Sequence, residues 1–304
     1  MLKLKNEYIN GRVNKADYIL QMYGFHEVLL QYPKLIGDTD IERIVIEKDN
    51  IYVTLNNGIN LIVRELDERT VPVEIMNFNS YEKQEWENVF TLIDKTDYPR
   101  TVLDIGGNVG YISLLLKNKW PESDIIAFEP IKSTYDVFCN NVKLNGMDIK
   151  VENIGLADEE GEFTYYYYPE GSGNSSLKNL SHRDSVQELK AQVKTVDNYV
   201  VENNITDIDF IKMDIEGAEF LALKGAKKTI EKNKPVMYIE LLRKWSASFN
   251  YKPQDVVEWL NELGYGCFVF KENRMEKIFE INENTVETNF LFIHETKFTL
   301  YEIA

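Results

Sequence analysis

Thr101-Val-Leu-Asp-Ile-Gly-Gly-Asn-Val-Gly-Tyr111, followed by Ile125-Ile-Ala-Phe-Glu-Pro130, decides how the rest of the chain is read. Val102, Leu103 and Ile105 are apolar and β-prone, as a strand covered on both faces requires. The turn Gly106-Gly-Asn-Val-Gly110 admits close approach of backbone to a ligand, because glycine has no Cβ to block it. A helix then starts at Tyr111 and turns its first amides toward the crevice. The second strand ends in Glu129, where the acid of a nucleotide-binding βαβ unit bonds a ribose diol.

Two cofactor classes use this geometry, and the spacing separates them. A dinucleotide fingerprint wants Gly-x-Gly-x-x-Gly with a pyrophosphate on the helix N-terminus. Here the second glycine position holds Asn108 and the third falls on Tyr111, while Asp104 lies inside the motif. A carboxylate there repels a pyrophosphate but suits a ligand carrying an ammonium and a sulfonium. The expected ligand is S-adenosylmethionine, and a nicotinamide-linked dehydrogenase is disfavoured.

Bulk composition narrows the class further. The chain has 304 residues, 44% hydrophobic and 28% charged, enough for a substantial core. Net charge is −16, spread along the sequence, so a nucleic-acid partner is not expected. The two cysteines, Cys139 and Cys267, belong to no metal-type cluster and make no disulfide framework. The first residues lack the apolar core of a signal peptide and no run is long enough to span a bilayer, so a cytoplasmic location is expected.

Alternation of pattern gives the architecture. Lys15 to Gln31 has helical spacing, and Ile41–Glu47, Ile51–Leu55 and Ile59–Val63 read as strands, the last two joined by Asn56-Asn-Gly58. Residues 1–75 are expected to form a small accessory α+β region, and 76–304 the main domain. After a helix from Tyr81 to Asp94, strand and helix alternate: strands at 101–105, 125–128, 150–153, 209–214 and 236–240, with helices at 134–144, 219–231 and 253–263. Such alternation predicts a mostly parallel, Rossmann-like α/β sheet with right-handed crossovers. The last strand signals, Cys267–Lys271 and Asn289–His294, suit an antiparallel edge. Glu162–Tyr168 and Ala191–Val196 break the rhythm as antiparallel strands around a polar loop, Pro169 to Ser185, longer than a connection needs.

Carboxylates recur where strands end: Asp104, Glu129, Asp158, Asp214 and Glu240. Ligands in open α/β sheets lie beyond those ends. Glu129 fits ribose hydroxyls, Asp158 the adenine amine, and Asp104 with Asn108 the methionine end. In Asp209-Phe-Ile-Lys-Met-Asp-Ile-Glu-Gly-Ala-Glu219, Lys212 sits inside a buried strand and needs an acidic partner, Glu240 or Asp104. The alternative is a lysine stem snorkelling to the sheet edge. Asp214 and Glu216 crown that strand. The loop with Asn174, Ser175, Ser176, His182 and Arg183 is a candidate acceptor lid, with His182 a second candidate base.

These motifs together carry a family resemblance. Asp-Ile-Gly-Gly-Asn-Val-Gly, Phe-Glu-Pro, Leu-Ala-Asp-Glu-Glu-Gly, Asn-Ser-Ser-Leu, Thr-Val-Asp-Asn-Tyr, Ile-Lys-Met-Asp-Ile-Glu-Gly-Ala-Glu, Leu-Lys-Gly-Ala and Pro-Val-Met-Tyr-Ile-Glu occur in order over roughly residues 80 to 295. In these the chain resembles FkbM-type methyltransferases. The resemblance implies a seven-stranded class I methyltransferase sheet, S-adenosylmethionine as donor, and O-methylation of a sugar or polyketide hydroxyl. It assigns Asp104, Gly106, Gly107, Asn108, Gly110, Glu129 and Asp158 to the cofactor, with Gly107 standing where alanine is common. Lys212, Asp214, Glu216 and Glu240 form the implied pocket floor. The expected base is an acid of the Asp214/Glu216 pair, ahead of His182, and Mg²⁺ on those acids is possible but not favoured. The rival readings are methylation of a peptide or protein side chain and a noncatalytic adenosine-ligand module.

Overall fold

The computed structural model describes residues 1–180, 184–271 and 274–301. In chain order, β1 (Ile41–Ile46), β2 (Ile51–Leu55) and β3 (Asn60–Ile62) come first. They are followed by β4 (Thr101–Ile105), β5 (Asp124–Phe128) and β6 (Lys150–Glu152). Next come β7 (Gly155–Leu156), β8 (Gly161–Tyr167) and β9 (Gln187–Lys194). The chain closes with β10 (Phe210–Met213), β11 (Val236–Glu240), β12 (Tyr265–Lys271), β13 (Arg274–Ile278) and β14 (Asn289–His294).

The main sheet has the order β13-β12-β14-β11-β10-β4-β5-β6. Strand β4 is its centre: all five residues are buried, and it pairs in parallel with β5 and β10. From β4 the chain winds outward through β5 to β6, then returns to the other flank of β4 as β10 and β11. The strand order therefore reverses at β4/β10, which opens a crevice above the carboxyl ends of those two strands.

The sheet differs from the seven strands expected. It has eight, because β12 folds back on the antiparallel edge strand β13. Arg274-Met-Glu-Lys-Ile278 shows no apolar alternation, and charged, half-solvated edges of this kind hide from pattern reading. The edge expected from Cys267–Lys271 and Asn289–His294 is also displaced. β14 is inserted between β11 and β12, antiparallel to both, and its run Phe290–Ile293 is buried as an interior strand must be. The single helix expected over 219–231 is two, Glu219–Lys224 and Lys227–Asn233. They break at Gly225, where a Cβ would lie 2.1 Å from the carbonyl oxygen of Ala157.

Two smaller sheets flank this frame. β1, β2 and β3 form an antiparallel meander. The β3 amides of Asn60 and Ile62 bond the side chains of Asn145 and Asn141 at 2.7 and 2.9 Å, on the helix Lys132–Asn145. Val53, Leu61, Val71 and Ile75 share one apolar cluster with Val102, Leu114 and Phe210 of the main sheet layer. The helix Lys15–Leu29, by contrast, buries none of its residues. In the third sheet β9 pairs antiparallel with β8 and parallel with β7, which places the expected break in rhythm beside the crevice. Among the described residues no helix is long and apolar enough to cross a membrane.

Candidate active site

A cleft of about 340 Å³ opens at the carboxyl ends of β4, β5, β10 and β11. Its walls include Gly106, Asn108, Glu129, Asp214, Glu216 and Glu240, with Asn174 and Ser175 over the mouth. Sequence reading therefore brought together residues that lie up to 134 positions apart on the ribbon, Gly106 to Glu240.

Glu129 forms one wall. Its Oε2 accepts from the N–H of Asn108 at 3.0 Å and its Oε1 from the N–H of Ile131 at 2.9 Å. Burial lifts its carboxyl to about 7 against the pull of those amides. Each oxygen keeps a further lone pair, and this almost fully buried carboxyl lines the cleft. Beyond it Ile131, Ile154, Gly155, Leu156 and Tyr165 make the apolar end.

Asp104 is placed differently from the expectation. It has no exposed surface and lies beneath the floor, its Oδ2 accepting from Ser113 Oγ at 2.5 Å. Lys212 pairs with it across the strands: the two residues are register partners of β10 and β4, with Nζ 3.5 Å from Asp104 Oδ1. The same ammonium donates to the carbonyl of Gly106 at 2.9 Å and sits 3.5 Å from Asp214 Oδ2. Burial alone would lower its proton affinity, but Asp104 and then Asp214 outweigh this, and the ammonium is held above its ordinary range. Lys212 thus links the buried Asp104 to the cleft-facing Asp214, and does not snorkel.

The glycines of the turn are required first by the protein itself. Gly106 has φ +87°, and a Cβ there would lie 1.9 Å from the carbonyl oxygen of Asp214. At Gly107 and Gly110 a Cβ would meet the Phe138 ring at 2.6 and 2.1 Å. The turn is pressed between β10 and the helix Lys132–Asn145; Gly107 and Gly110 do not line the cleft.

The opposite end is an acid crown. Asp214, Glu216 and Glu240 offer carboxylate oxygens within 4.8 Å of one another. Burial, then the Asp214 charge, raises the proton affinity of both Glu216 and Glu240. Glu240 shares a hydrogen bond with Asp214, and Glu216 Oε2 is buried with no hydrogen-bond partner. Such a site suits a positively charged ligand group. By oxygen count the trio is also the one group among the described residues that could share a cation, although Lys212 already stands beside it.

Asp158 does not join the site. It is exposed, beyond the end of β7, and the cleft wall on that side is Gly155 and Leu156. Ser176 is buried outside the cleft, its Oγ donating to the carbonyl of Glu216 at 2.8 Å. His182 and Arg183 lie outside the described residues. Of the polar loop, Ser172 to Ser175 line the cleft. Ser172 Oγ donates to Asp67 Oδ2 at 2.6 Å and lies 3.4 Å from Asn108 Oδ1, tying loop, N-terminal segment and glycine turn together.

Several wall residues had no signal in the sequence. Arg69 and Glu74, joined at 2.8 Å, come from the region expected to be accessory. Glu82, with φ 50°, accepts from Trp86 Nε1 at 3.2 Å, and burial with the nearby Asp214 raises it to about 6. Tyr81 and Trp245 complete the aromatic wall. None of these belongs to a spaced motif; only the chain path brings them to β10.

A family model described as the methyltransferase FkbM domain matches residues 104–267, more than half of the chain. "Methyltransferase 1" of Beauveria bassiana (strain ARSEF 2860) is 30% identical over 142 residues, covering 41% of this chain and 57% of that protein. "Methyltransferase sdnD" of Sordaria araneosa is 31% identical over 153 residues, covering 41% and 59%. The matched region thus spans less than two thirds of either relative's length. Among solved structures, methyltransferase FkbM from Methylobacillus flagellatus KT is 16% identical with a TM-score of 0.43, over 73% of this chain and 53% of that one.

Proposed function

The chain belongs to the FkbM methyltransferase family, and on that premise we propose that it methylates a hydroxyl of a sugar, glycan or related small molecule from S-adenosylmethionine. Its central sheet is of the class I methyltransferase kind. The observation that carries the reading is the polarity of the cleft: a diol-seeking Glu129 and an apolar end on one side, an acid crown on the other. That donor set fits a nucleoside with a cationic tail. Glu129 takes the ribose diol, Asn108 and the crown the charged end, and the β7–β8 side the base. Bound there, S-adenosylmethionine supplies a methyl group on a positively charged sulfur, open to in-line attack by an oxygen nucleophile.

The chain's residues then have to orient the acceptor and take its proton. Alignment of the two reactants is worth up to ~7–11 kcal/mol of barrier in favourable cases. Tyr81, Trp245, Arg69 and Glu74 supply the wall against which an acceptor would be held. Asp214, paired with Lys212, is the crown member that receives the hydroxyl proton, at its carboxylate oxygen. Glu216 and Glu240, whose proton affinity burial and Asp214 raise, are placed to hydrogen-bond the acceptor's other oxygens. General-base help of this kind is typically ~10²–10⁴-fold. The reading places no metal in the crown, because Lys212 supplies its positive charge.

The test is a radiolabelled methyl-transfer screen over nucleotide-sugars, oligosaccharides, small alcohols and protein acceptors, with calorimetry of the demethylated donor. Uptake of that product and label in a saccharide or small alcohol are expected. Label in protein alone would replace the acceptor assignment, and uptake of NADH in place of the nucleoside product would overturn the donor.

A further inference from the structure

The Asp214-Ile215-Glu216-Gly217 turn has an unusual internal support. Glu216 and Gly217 are successive left-handed residues, at φ 55° and 99°. A non-glycine residue held there costs about 1 kcal/mol or more and persists only where its surroundings dictate it. The N–H groups of Ile215 and Gly217 converge on a single atom, Glu219 Oε1, at 2.9 and 3.1 Å. Converging amides of this kind make an anion nest; here the chain's own carboxylate fills it. Glu219 Oε2 accepts from the Tyr251 hydroxyl at 3.0 Å. Glu219 is 1% exposed and is not part of the cleft wall.

We propose that Glu219, braced by Tyr251, is a positioning residue that fixes the backbone turn presenting Asp214 and Glu216 to the acceptor. The inference rests on the methyl-transfer reading only in what the two presented acids do. With both amides of the turn drawn inward to Glu219, the side chains of Asp214 and Glu216 are directed outward into the cleft. The turn is clamped from its other side by Ser176, whose hydroxyl bonds the carbonyl of Glu216. Position 217 has no room for a side chain, since a Cβ there would stand 2.8 Å from the Phe249 ring. The partners of the Glu219 carboxyl, the N–H groups of Ile215, Gly217 and Glu219 itself and the Tyr251 hydroxyl, are all uncharged, so a glutamine can replace it: its oxygen accepts from the turn amides and its NH₂ donates to the Tyr251 oxygen. Burial lifts Glu219 to about 7, in keeping with a scaffold that does not depend on its charge.

The experiment compares wild type with Glu219→Ala, Glu219→Gln and Tyr251→Phe by steady-state methyl transfer, binding of the demethylated donor, and amide hydrogen exchange at Ile215 and Gly217. A displacement of the acids by about 1 Å is enough to lower kcat by about 100-fold, so Glu219→Ala should lose about that much while KM and donor-product affinity change less than about 3-fold. Glu219→Gln should restore kcat to within about 5-fold of wild type, and exchange at the two amides should rise about 10-fold in Glu219→Ala, rise less in Tyr251→Phe and stay unchanged in Glu219→Gln. Tyr251→Phe should fall between. The proposal is overturned if Glu219→Ala keeps kcat, or if Glu219→Gln is as impaired as Glu219→Ala. Should Glu219→Ala not fold, unchanged amide exchange in folded Glu219→Gln and faster exchange in Tyr251→Phe support the proposal. Unchanged exchange in Tyr251→Phe as well overturns it. If wild type neither binds donor product nor turns over, the functional reading fails, and the exchange comparison still decides the positioning role.

Discussion

The Lys212 ammonium lies 3.5 Å from the Asp104 carboxylate, between register-paired positions of two buried parallel strands. Both residues are buried: Asp104 has no exposed surface and Lys212 is 7% exposed. Charges at such a depth are tolerable only together, and the pair carries the fold's switch point on its back through the Gly106 carbonyl.

Breaking the pair should therefore cost more than removing it. Lys212→Met leaves Asp104 buried and uncompensated, and should destabilise the protein by about 3–5 kcal/mol. Adding Asp104→Asn should recover more than about 1 kcal/mol of this, a coupling that urea denaturation of the four proteins measures in a double-mutant cycle. Additive losses would show that the two charges do not share one site.

Stability should fall as pH rises through the weakly acidic range. Glu129 and Glu219 both hold protons to about 7 in the folded protein, against an ordinary value of 4.5. Between those values the folded state binds more protons than the unfolded chain, so each rise in pH favours unfolding. The penalty is complete above about 7 and amounts to about 3 kcal/mol for each group, at about 1.36 kcal/mol per pKa unit. Thermal melts of ligand-free protein should show a higher Tm near pH 5 than near pH 8. In Glu129→Gln with Glu219→Gln the slope should flatten; an unchanged slope would place its origin elsewhere.

Gly106→Ala and Gly58→Ala should separate conformational strain from close approach. Both glycines have φ near +87°, but a Cβ at Gly58 meets nothing within 4 Å. Gly58→Ala should cost about 1 kcal/mol. Gly106→Ala drives a methyl into the Asp214 carbonyl and should cost more than about 3 kcal/mol, with loss of donor-product binding. Equal ΔΔG values in denaturation would refute the steric account of the turn.

Affinity for the demethylated donor should distinguish two acids at strand ends. Glu129→Gln should weaken it at least about 10-fold, since hydrogen bonds to a charged acceptor contribute roughly 1.5–3 kcal/mol. Asp158→Ala, on an exposed side chain outside the cleft, should leave calorimetric Kd within about 2-fold. A large loss at Asp158 would return that residue to the base pocket.

The sequence was most legible where chemistry and periodicity coincide. The buried run ending at Asp104, the strand ending at Glu129 and the lysine within Phe210–Met213 each join an apolar period to a polar residue that needs a reason. One of the two acids offered as partners for Lys212, Asp104, is its register partner. Legibility failed for the placement of Asp158 outside the cleft wall, because an acid at a strand end has the same local pattern whether it lines a cleft or faces water. It failed again at β13, whose residues carry no apolar alternation, and at Arg69, Glu74 and Glu82, which belong to no motif.

What the sequence determined alone was the alternating strand–helix order, the glycine turn and the family, because these depend on residues near one another on the chain. The tertiary structure decided the rest. It put Asp104 beneath the floor and Asp214 above it, inserted β14 beside β11, and carried the segment around residues 67–82 to the rim of the cleft. Those outcomes depend on register and on which surfaces pack together. Both are set by the free energy of the whole core, which local spacing does not record.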